Sequence, residues 1–155
     1  MSPSPTPEGA QTPSRDVPDA PPEPGEAGEG APLSHTIRLR VRYTEVDAMG
    51  YLHHSRYLQY FEMGRVELLR ARGVRYADLE REGVFFVVIR AEVAYKQPAR
   101  YDEEVELTTT EVRRTHVKIE HEYEIRREGR LLATGRTAIA CVGRDGRPMA
   151  IPGTT

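Results

Sequence analysis

The sequence predicts an α+β domain in which a curved, five-stranded, largely antiparallel sheet wraps around one long helix. Five segments alternate between apolar and polar residues with a period of two, which is typical of half-buried strands. Only one long segment repeats its apolar residues every three or four positions, as an amphipathic helix does. Because this helix is the only long element that can cover the apolar face of the sheet, we expect the sheet to curl around it.

The first strand begins at His35 and leads through a loop to the helix. The strand has one apolar and one basic face, with Ile37, Leu39, Val41 and Tyr43 against Arg38, Arg40 and Arg42. A polar stretch that contains glycine then breaks the alternation. The helical spacing runs from Ser55 to about Arg72, and Gly73 stands where a C-terminal cap is expected.

After a short helical turn at Tyr76–Arg81, the chain predicts four more strands and no second long helix. The strands span Val84–Lys96, Glu103–Val112, 117–126 and Leu131–Val142, with a turn at Glu128–Gly129 before the last of them. The last strand is apolar on both faces in its later half, which indicates a central position in the sheet.

The strand at Val84–Lys96 also has two apolar faces. The alternation assigns one face to Phe85, Val87, Ile89, Ala91, Val93 and Tyr95, and the other to Phe86, Val88, Arg90 and Glu92. Such a strand predicts self-association, either through sheet edges or by back-to-back packing.

Composition divides the chain after residue 34. Residues 1–34 hold nine of the twelve prolines, no aromatic residue, and six acids against one arginine. So little apolar surface cannot offset the entropy cost of ordering, and we expect a disordered tail. The body, residues 35–155, is expected to form one domain, with 21 basic and 18 acidic residues. This mild positive charge does not indicate nucleic acid but suits a local site for a phosphorylated small molecule.

Cysteine usage and the N-terminus predict a cytoplasmic protein. Cys141 is the only cysteine, so no intramolecular disulfide can form, and no Cys/His spacing is typical of a zinc site. The N-terminus lacks the basic start and apolar run of a signal peptide, and no stretch of about 18 apolar residues is present to span a bilayer.

The loop before the helix contains the most informative residues. Asp47 lies in a glycine-containing segment just before a helix start at about His54 or Ser55. Unpaired N–H groups at a helix start can bind a carbonyl oxygen that develops negative charge, and a nearby carboxylate can act on that carbonyl as base or nucleophile. Taken alone, the same residues are more typical of an ordinary turn, in which Gly50 supplies a positive φ.

The run RVRYTEVDAMGYLHHSRYLQYFE, Arg40 to Glu62, resembles the signature of the 4-hydroxybenzoyl-CoA thioesterase family, which includes the YbgC-type acyl-CoA thioesterases. The matching features are Asp47, Gly50, His54, Tyr57 and the aromatic start of the helix. The family has the hot-dog fold, a curved antiparallel sheet around one helix, and the resemblance covers about residues 36–145. One departure is Val46, where the family usually has Thr or Cys.

The resemblance implies a role for each matching residue. Asp47 would be the nucleophile or general base for thioester hydrolysis, and the backbone N–H near His54 would polarise the thioester carbonyl. The His54 side chain would orient water or substrate. Gly50 and Ser55 would help to form the substrate site. Tyr43 and Tyr57 would line the acyl pocket, although packing in the core explains both tyrosines equally well.

A CoA thioester also carries phosphates, which need cationic or N–H partners. The tightest basic cluster is Arg113, Arg114 and Lys118 at a predicted turn, a region that family members often use for the nucleotide. An ordinary solvated turn explains this cluster equally well, and the arginines on the polar face of the first strand are alternative ligands for the phosphates. His121, on the apolar face of its strand, is more typical of a core or interface histidine.

We therefore expect a cytoplasmic acyl-CoA thioesterase that forms a homodimer or homotetramer with sites at subunit interfaces. We expect neither a metal nor a redox cofactor. Coenzyme A would enter as part of the substrate. Alternatives are a hot-dog hydratase or dehydratase, a non-catalytic acyl-CoA-binding or scaffold protein and, last, a nucleic-acid-binding module. The acyl group, and the choice between a covalent intermediate and direct water attack, stay open.

Overall fold

The computed structural model describes residues 33–153 as one curved sheet with a long helix against it. The elements are β1 Leu33–Arg40, a 3-10 turn Tyr43–Glu45, α1 Arg56–Ala71, α2 Tyr76–Arg81, β2 Phe85–Tyr95, β3 Glu104–Arg114, β4 Lys118–Arg127 and β5 Arg130–Val142. All neighbouring strands are antiparallel, in the order β1-β3-β4-β5-β2. The predicted element order and α+β architecture are confirmed, and β5 lies inside the sheet as expected.

The first strand begins earlier than predicted. Leu33 pairs with Glu111 of β3, and the hydroxyl of Ser34 lies 2.6 Å from that of Thr110. The expected boundary after residue 34 is therefore two residues too late. The rest of the predicted tail, residues 1–32, lies outside the described residues.

Helix α1 forms the centre of the core. It buries Tyr57, Tyr60, Phe61, Gly64 and Leu68. The ring of Phe61 stacks on Tyr123 of β4, with 4.2 Å between centroids and 10° between planes. At Gly135 of β5, an added Cβ would lie 2.2 Å from the Phe61 ring. The helix therefore packs directly on the sheet. As predicted, Gly73 follows its end with a φ of +80°.

Strand β2 contains a β-bulge that its sequence alternation did not reveal. Ile89 is an extra residue between two paired positions, Val88 with Ile139 and Arg90 with Ala138. Before the bulge Phe86 packs against the inner core, and after it Val93 does so. The prediction that one uninterrupted face holds Phe85 through Tyr95 is therefore wrong, because one extra residue moves the inward-facing set to the other parity.

The face of the sheet that points away from α1 is polar. It carries ion pairs between strands, including Arg38 with Glu106 at 3.5 Å and Arg136 with Glu122. The apolar surface lies instead at the β2 edge, where Val87, Val88 and Ile89 are 43%, 52% and 57% exposed. Self-association was predicted either through sheet edges or by back-to-back packing, and the exposed apolar surface lies at the sheet edge.

No helix within residues 33–153 is long and apolar enough to cross a membrane.

Candidate active site

Asp47 begins a tight hairpin just before α1. Val46 and Leu52 form an isolated β-bridge at its base. The N–H of Asp47 donates to the carbonyl of Tyr51 at 2.8 Å, and the N–H of Gly50 donates to the carbonyl of Asp47 at 2.9 Å. Gly50 has a φ of +78°, a conformation that glycine adopts at little cost. The turn interpretation of these residues therefore describes their backbone correctly.

The two carboxylate oxygens of Asp47 differ in their hydrogen bonds. Its Oδ1 accepts hydrogen bonds from the backbone N–H groups of Met49 at 2.8 Å and Tyr51 at 3.2 Å. Its Oδ2 has no hydrogen-bond partner among residues 33–153, and the residue is exposed. One oxygen fixes the orientation of the carboxylate, so the other is available to a substrate or a water molecule.

Glu45 anchors the start of the hairpin to α1, a role that we did not predict. Its buried carboxylate accepts hydrogen bonds from the backbone and guanidinium of Arg42, at 2.8–3.1 Å, and from the hydroxyl of Tyr60 at 2.8 Å. Burial alone would raise the pKa of Glu45, but these hydrogen bonds hold the pKa below its usual value. Its carbonyl also accepts from the N–H of His53 at 2.9 Å. The three-residue spacing of Arg42 and Glu45 is the only sequence signal for this anchor.

The start of α1 leaves a backbone donor open beside the hairpin. Ser55 is the N-cap residue but makes no side-chain cap hydrogen bond, and its Oγ lies 2.8 Å from Nδ1 of His53. Among residues 33–153, the backbone N–H of His54 has no acceptor, while its carbonyl accepts from the hydroxyl of Tyr95 at 2.8 Å. An open N–H at a helix start is suited to a carbonyl oxygen that gains negative charge.

The two tyrosines predicted to line the acyl pocket differ in position. Tyr43 is exposed and contacts Tyr101 edge to face, with 5.6 Å between ring centroids. Tyr57 is buried in the core and contacts Tyr95 in the same way at 4.9 Å. Tyr57 thus has the position that the packing interpretation predicted, and Tyr43 stands on the surface near the hairpin.

The predicted basic cluster lies far from Asp47 within one chain. Arg40, next to the hairpin, pairs with Glu104 at one end of β3, and Arg114 ends that strand ten residues later. At about 3.3 Å per residue, the two ends are about 30 Å apart. Arg114 binds Glu111 at 2.6 Å, and Lys118 pairs with Glu120 at 3.1 Å, while Arg113 lies opposite Glu120. One chain therefore does not bring Arg113, Arg114 and Lys118 to the Asp47 site.

His121 faces inward from β4, as its sequence pattern predicted. It is 5% exposed, and burial, reinforced by the nearby charge of Arg65, lowers its pKa to about 4. The imidazole is therefore neutral at pH 7 and lies in the wall of a cavity.

The low pKa of His121 predicts a loss of stability in mild acid. The unfolded chain binds a proton near pH 6.5, whereas the folded chain resists protonation down to about pH 4, so stability falls as the pH decreases between these values. Urea unfolding at pH 7.0 and 5.0 should show a decrease of about 2 kcal/mol in the free energy of unfolding. The variant His121→Phe should lose most of this decrease, and an equal decrease in that variant would contradict the assignment.

Within residues 33–153, no group of three or more His, Cys, Asp or Glu side chains is placed to hold a metal ion.

Residues 41–154 match the thioesterase-like superfamily. A putative esterase of Aquifex aeolicus is 35% identical over 117 residues, which are 74% of this chain and 89% of the relative. The acyl-CoA thioester hydrolase YbgC of Escherichia coli is 32% identical over 117 residues, covering 74% and 87%. The solved structure of DHNA-CoA thioesterase from Staphylococcus aureus aligns with a TM-score of 0.74 at 31% identity, over 76% of this chain and 80% of that one.

The family match at residues 41–154 spans the hairpin that carries Asp47, both helices and strands β2 to β5. Together these matches confirm the resemblance that residues 40–62 predicted and the hot-dog fold that it implied. The chain belongs to the thioesterase-like superfamily, as a thioester hydrolase with the hot-dog fold.

Proposed function

We propose that the chain hydrolyses acyl-CoA thioesters to a carboxylic acid and free CoA. The N–H of His54 donates to the thioester oxygen as negative charge develops there. Asp47 acts as general base on water or as nucleophile at the acyl carbon. The C–S bond breaks, the sulfur takes up a proton as the CoA thiol, and the acyl carbon gains the oxygen of water. No metal or redox cofactor takes part, and the reaction occurs in the cytoplasm.

One observation carries this proposal. Oδ2 of Asp47 lacks a hydrogen-bond partner within residues 33–153 while Oδ1 is held by two N–H groups, and the open N–H of His54 follows seven residues later at the start of α1. A fixed carboxylate and an open donor are the two groups that thioester hydrolysis needs. The relatives named as acyl-CoA and DHNA-CoA thioesterases support CoA as the thiol. The imidazole of His54 and the Ser55 hydroxyl stand beside this donor and would orient water or substrate.

Release of free thiol from a panel of acyl-CoA substrates tests the proposal. The panel should include short, long and aromatic acyl groups, and at least one should be hydrolysed faster than in buffer. If none releases thiol, the proposal fails. Calorimetric binding of a non-hydrolysable acyl-CoA without turnover would instead support a non-catalytic binding protein. Addition of water to an enoyl-CoA would support a hydratase.

We propose that Arg113, Arg114 and Lys118 bind the CoA phosphates at a site completed by a second copy of the chain. Within one chain they lie too far from Asp47, whereas the β2 edge offers an apolar surface for a second copy. Antiparallel pairing of two β2 strands would also satisfy their unpaired backbone groups. A homodimer is the simplest assembly, and a homotetramer would join two such dimers.

A charged residue on the β2 edge should disrupt this assembly. Ile89→Lys should convert the dimer to a monomer and lower kcat/KM by at least about tenfold, because a lysine buried at an interface is costly. Analytical ultracentrifugation and the thiol assay measure both effects. Val112→Lys, a comparable change from a β-branched residue to lysine at an exposed site on β3, is the control. A dimer that persists with full activity in Ile89→Lys would exclude the β2 edge as the interface.

A further inference from the structure

The N–H of His54, the proposed donor to the thioester oxygen, lies in a tight turn formed by residues 53–56 at the start of α1. The N–H of Arg56 donates to the carbonyl of His53 at 2.9 Å, which closes the turn. Inside the turn, the N–H of Ser55 donates to Nδ1 of His53 at 3.2 Å. These two N–H groups are therefore occupied within the turn, whereas the N–H of His54 has no acceptor within residues 33–153.

A side chain from β2 holds the carbonyl of the same residue. The hydroxyl of Tyr95 donates to the carbonyl of His54 at 2.8 Å, across 41 positions of the chain. Within residues 33–153, Tyr95 is the only side chain outside the turn that donates to the turn's backbone. The peptide group that joins the two central residues of the turn is thus held at its carbonyl by Tyr95 and at its N–H by His53.

The hydroxyl of Tyr95 is itself held in place. Tyr95 is the last residue of β2 and pairs with Ala133 of β5, so its backbone belongs to the sheet. Its ring meets the ring of Tyr57 edge to face, with 4.9 Å between centroids and 87° between planes, and Tyr57 is buried in the core. The hydrogen bond therefore joins the turn to the sheet and the core.

The hydroxyl of Tyr95 has no second donor for a substrate. A phenol has one O–H donor, and the carbonyl of His54 takes it. Tyr95 can therefore affect the reaction only through the turn, which sets the direction of the His54 N–H. A displacement of about 1 Å in a group that acts on the reacting atoms can lower a rate by about 10²-fold.

We propose that Tyr95 is a positioning residue for thioester hydrolysis: its hydroxyl holds the carbonyl of His54 and thereby keeps the N–H of His54 directed at the thioester oxygen. This role rests on the proposed function and adds to it a residue that touches no reacting atom. The hydrogen bond from this N–H strengthens as the oxygen gains negative charge, so its direction matters for kcat more than for KM.

Two measurements on Tyr95→Phe in the full chain test this role. The variant keeps the ring against Tyr57 and loses only the hydroxyl, so it should fold. It should lower kcat for an acyl-CoA substrate at least about fivefold with KM almost unchanged, because a donor whose direction is less fixed stabilises the transition state less. The second measurement is the infrared C=O stretch of a bound CoA ketone analogue in which a CH₂ group replaces the sulfur. The stretch should lie at a higher frequency in the variant than in the wild-type protein, since the carbonyl is less polarised.

Tyr123→Phe is the matched control. The hydroxyl of Tyr123 lies 2.6 Å from that of Thr137 in the core, so this change removes a structural hydrogen bond and should leave kcat and the C=O stretch unchanged. Replacement of Tyr95 by 4-aminophenylalanine keeps a donor on the ring and should restore most of the lost kcat.

Three results would overturn the role of Tyr95. A smaller decrease in kcat, or an equal C=O stretch in Tyr95→Phe and the wild-type protein, would reject it while leaving thioester hydrolysis in place. An equal decrease in kcat in Tyr123→Phe would also reject it, because the loss of any hydroxyl would then have the same effect. If the wild-type protein releases no thiol from any acyl-CoA, the proposed function fails and this role fails with it.

Discussion

Asp47→Asn should lower kcat for acyl-CoA hydrolysis by about 10³-fold, within the range of about 10²–10⁴ that general-base catalysis contributes. An asparagine keeps the oxygen that accepts hydrogen bonds from Met49 and Tyr51, so the hairpin should persist. It replaces the free carboxylate oxygen with an amide NH₂ group, which neither takes up a proton nor attacks a carbonyl. The thiol assay measures kcat, and thermal unfolding should show an almost unchanged Tm.

A second aspartate in the chain offers a matched control. Oδ1 of Asp145 accepts a hydrogen bond from the backbone N–H of Arg147 at 3.0 Å, the same two-residue spacing as between Asp47 and Met49. Asp145→Asn should therefore show the effect of the substitution on a turn without an effect on turnover. Unchanged turnover in Asp47→Asn would remove Asp47 from the mechanism while leaving the fold assignment intact.

Glu45→Ala should decrease the free energy of unfolding by about 2–3 kcal/mol and should also lower kcat. The change leaves the hydroxyl of Tyr60 and the backbone N–H of Arg42 without their acceptor, and each lost hydrogen bond to a charged group costs about 1.5–3 kcal/mol when the partner stays buried. Exposure of the Arg42 side chain to water limits the total. Urea unfolding measures stability, and the thiol assay below the Tm measures activity.

Two milder variants separate stability from positioning. Tyr60→Phe removes one hydrogen bond to Glu45 and should cost about 1.5 kcal/mol with little effect on kcat. Glu45→Gln keeps an acceptor and should be intermediate in both measurements. If Glu45→Ala lowers stability but leaves kcat unchanged in the folded protein, Glu45 has a structural role only.

Local patterns predicted the elements well but not their mutual placement. Each strand or helix must bury one of its own faces, and this need produces the alternation around Ile37 and Ile119 and the helical spacing of α1. Both patterns were therefore predictable. The bulge at Ile89 was not, because one extra residue in a strand that is apolar on both faces leaves no mark on its pattern.

The candidate site was predictable in part for similar reasons. Asp47 and the open donor near His54 follow from a loop–helix junction, which is local in sequence. The distance from Asp47 to Arg114 depends on the pairing of β1 with β3, which joins residues more than 60 positions apart. Glu45 was missed because an acid in a loop is normally solvated, and its burial depends in part on contact with Tyr60, which lies 15 residues further along the chain.

The hairpin that carries Asp47 is also fastened to a second segment. The N–H of Leu52 donates to the carbonyl of Ala99 at 2.7 Å, and the N–H of Tyr101 donates to that of Gly50 at 3.2 Å. The carboxylate is thus held before any substrate arrives, and little entropy need be lost to orient it during the reaction. Because the carboxylate is already oriented, its effective molarity should depend on how the acyl group is positioned against it. We therefore expect kcat to change more with the identity of the acyl group than with the viscosity of the solvent.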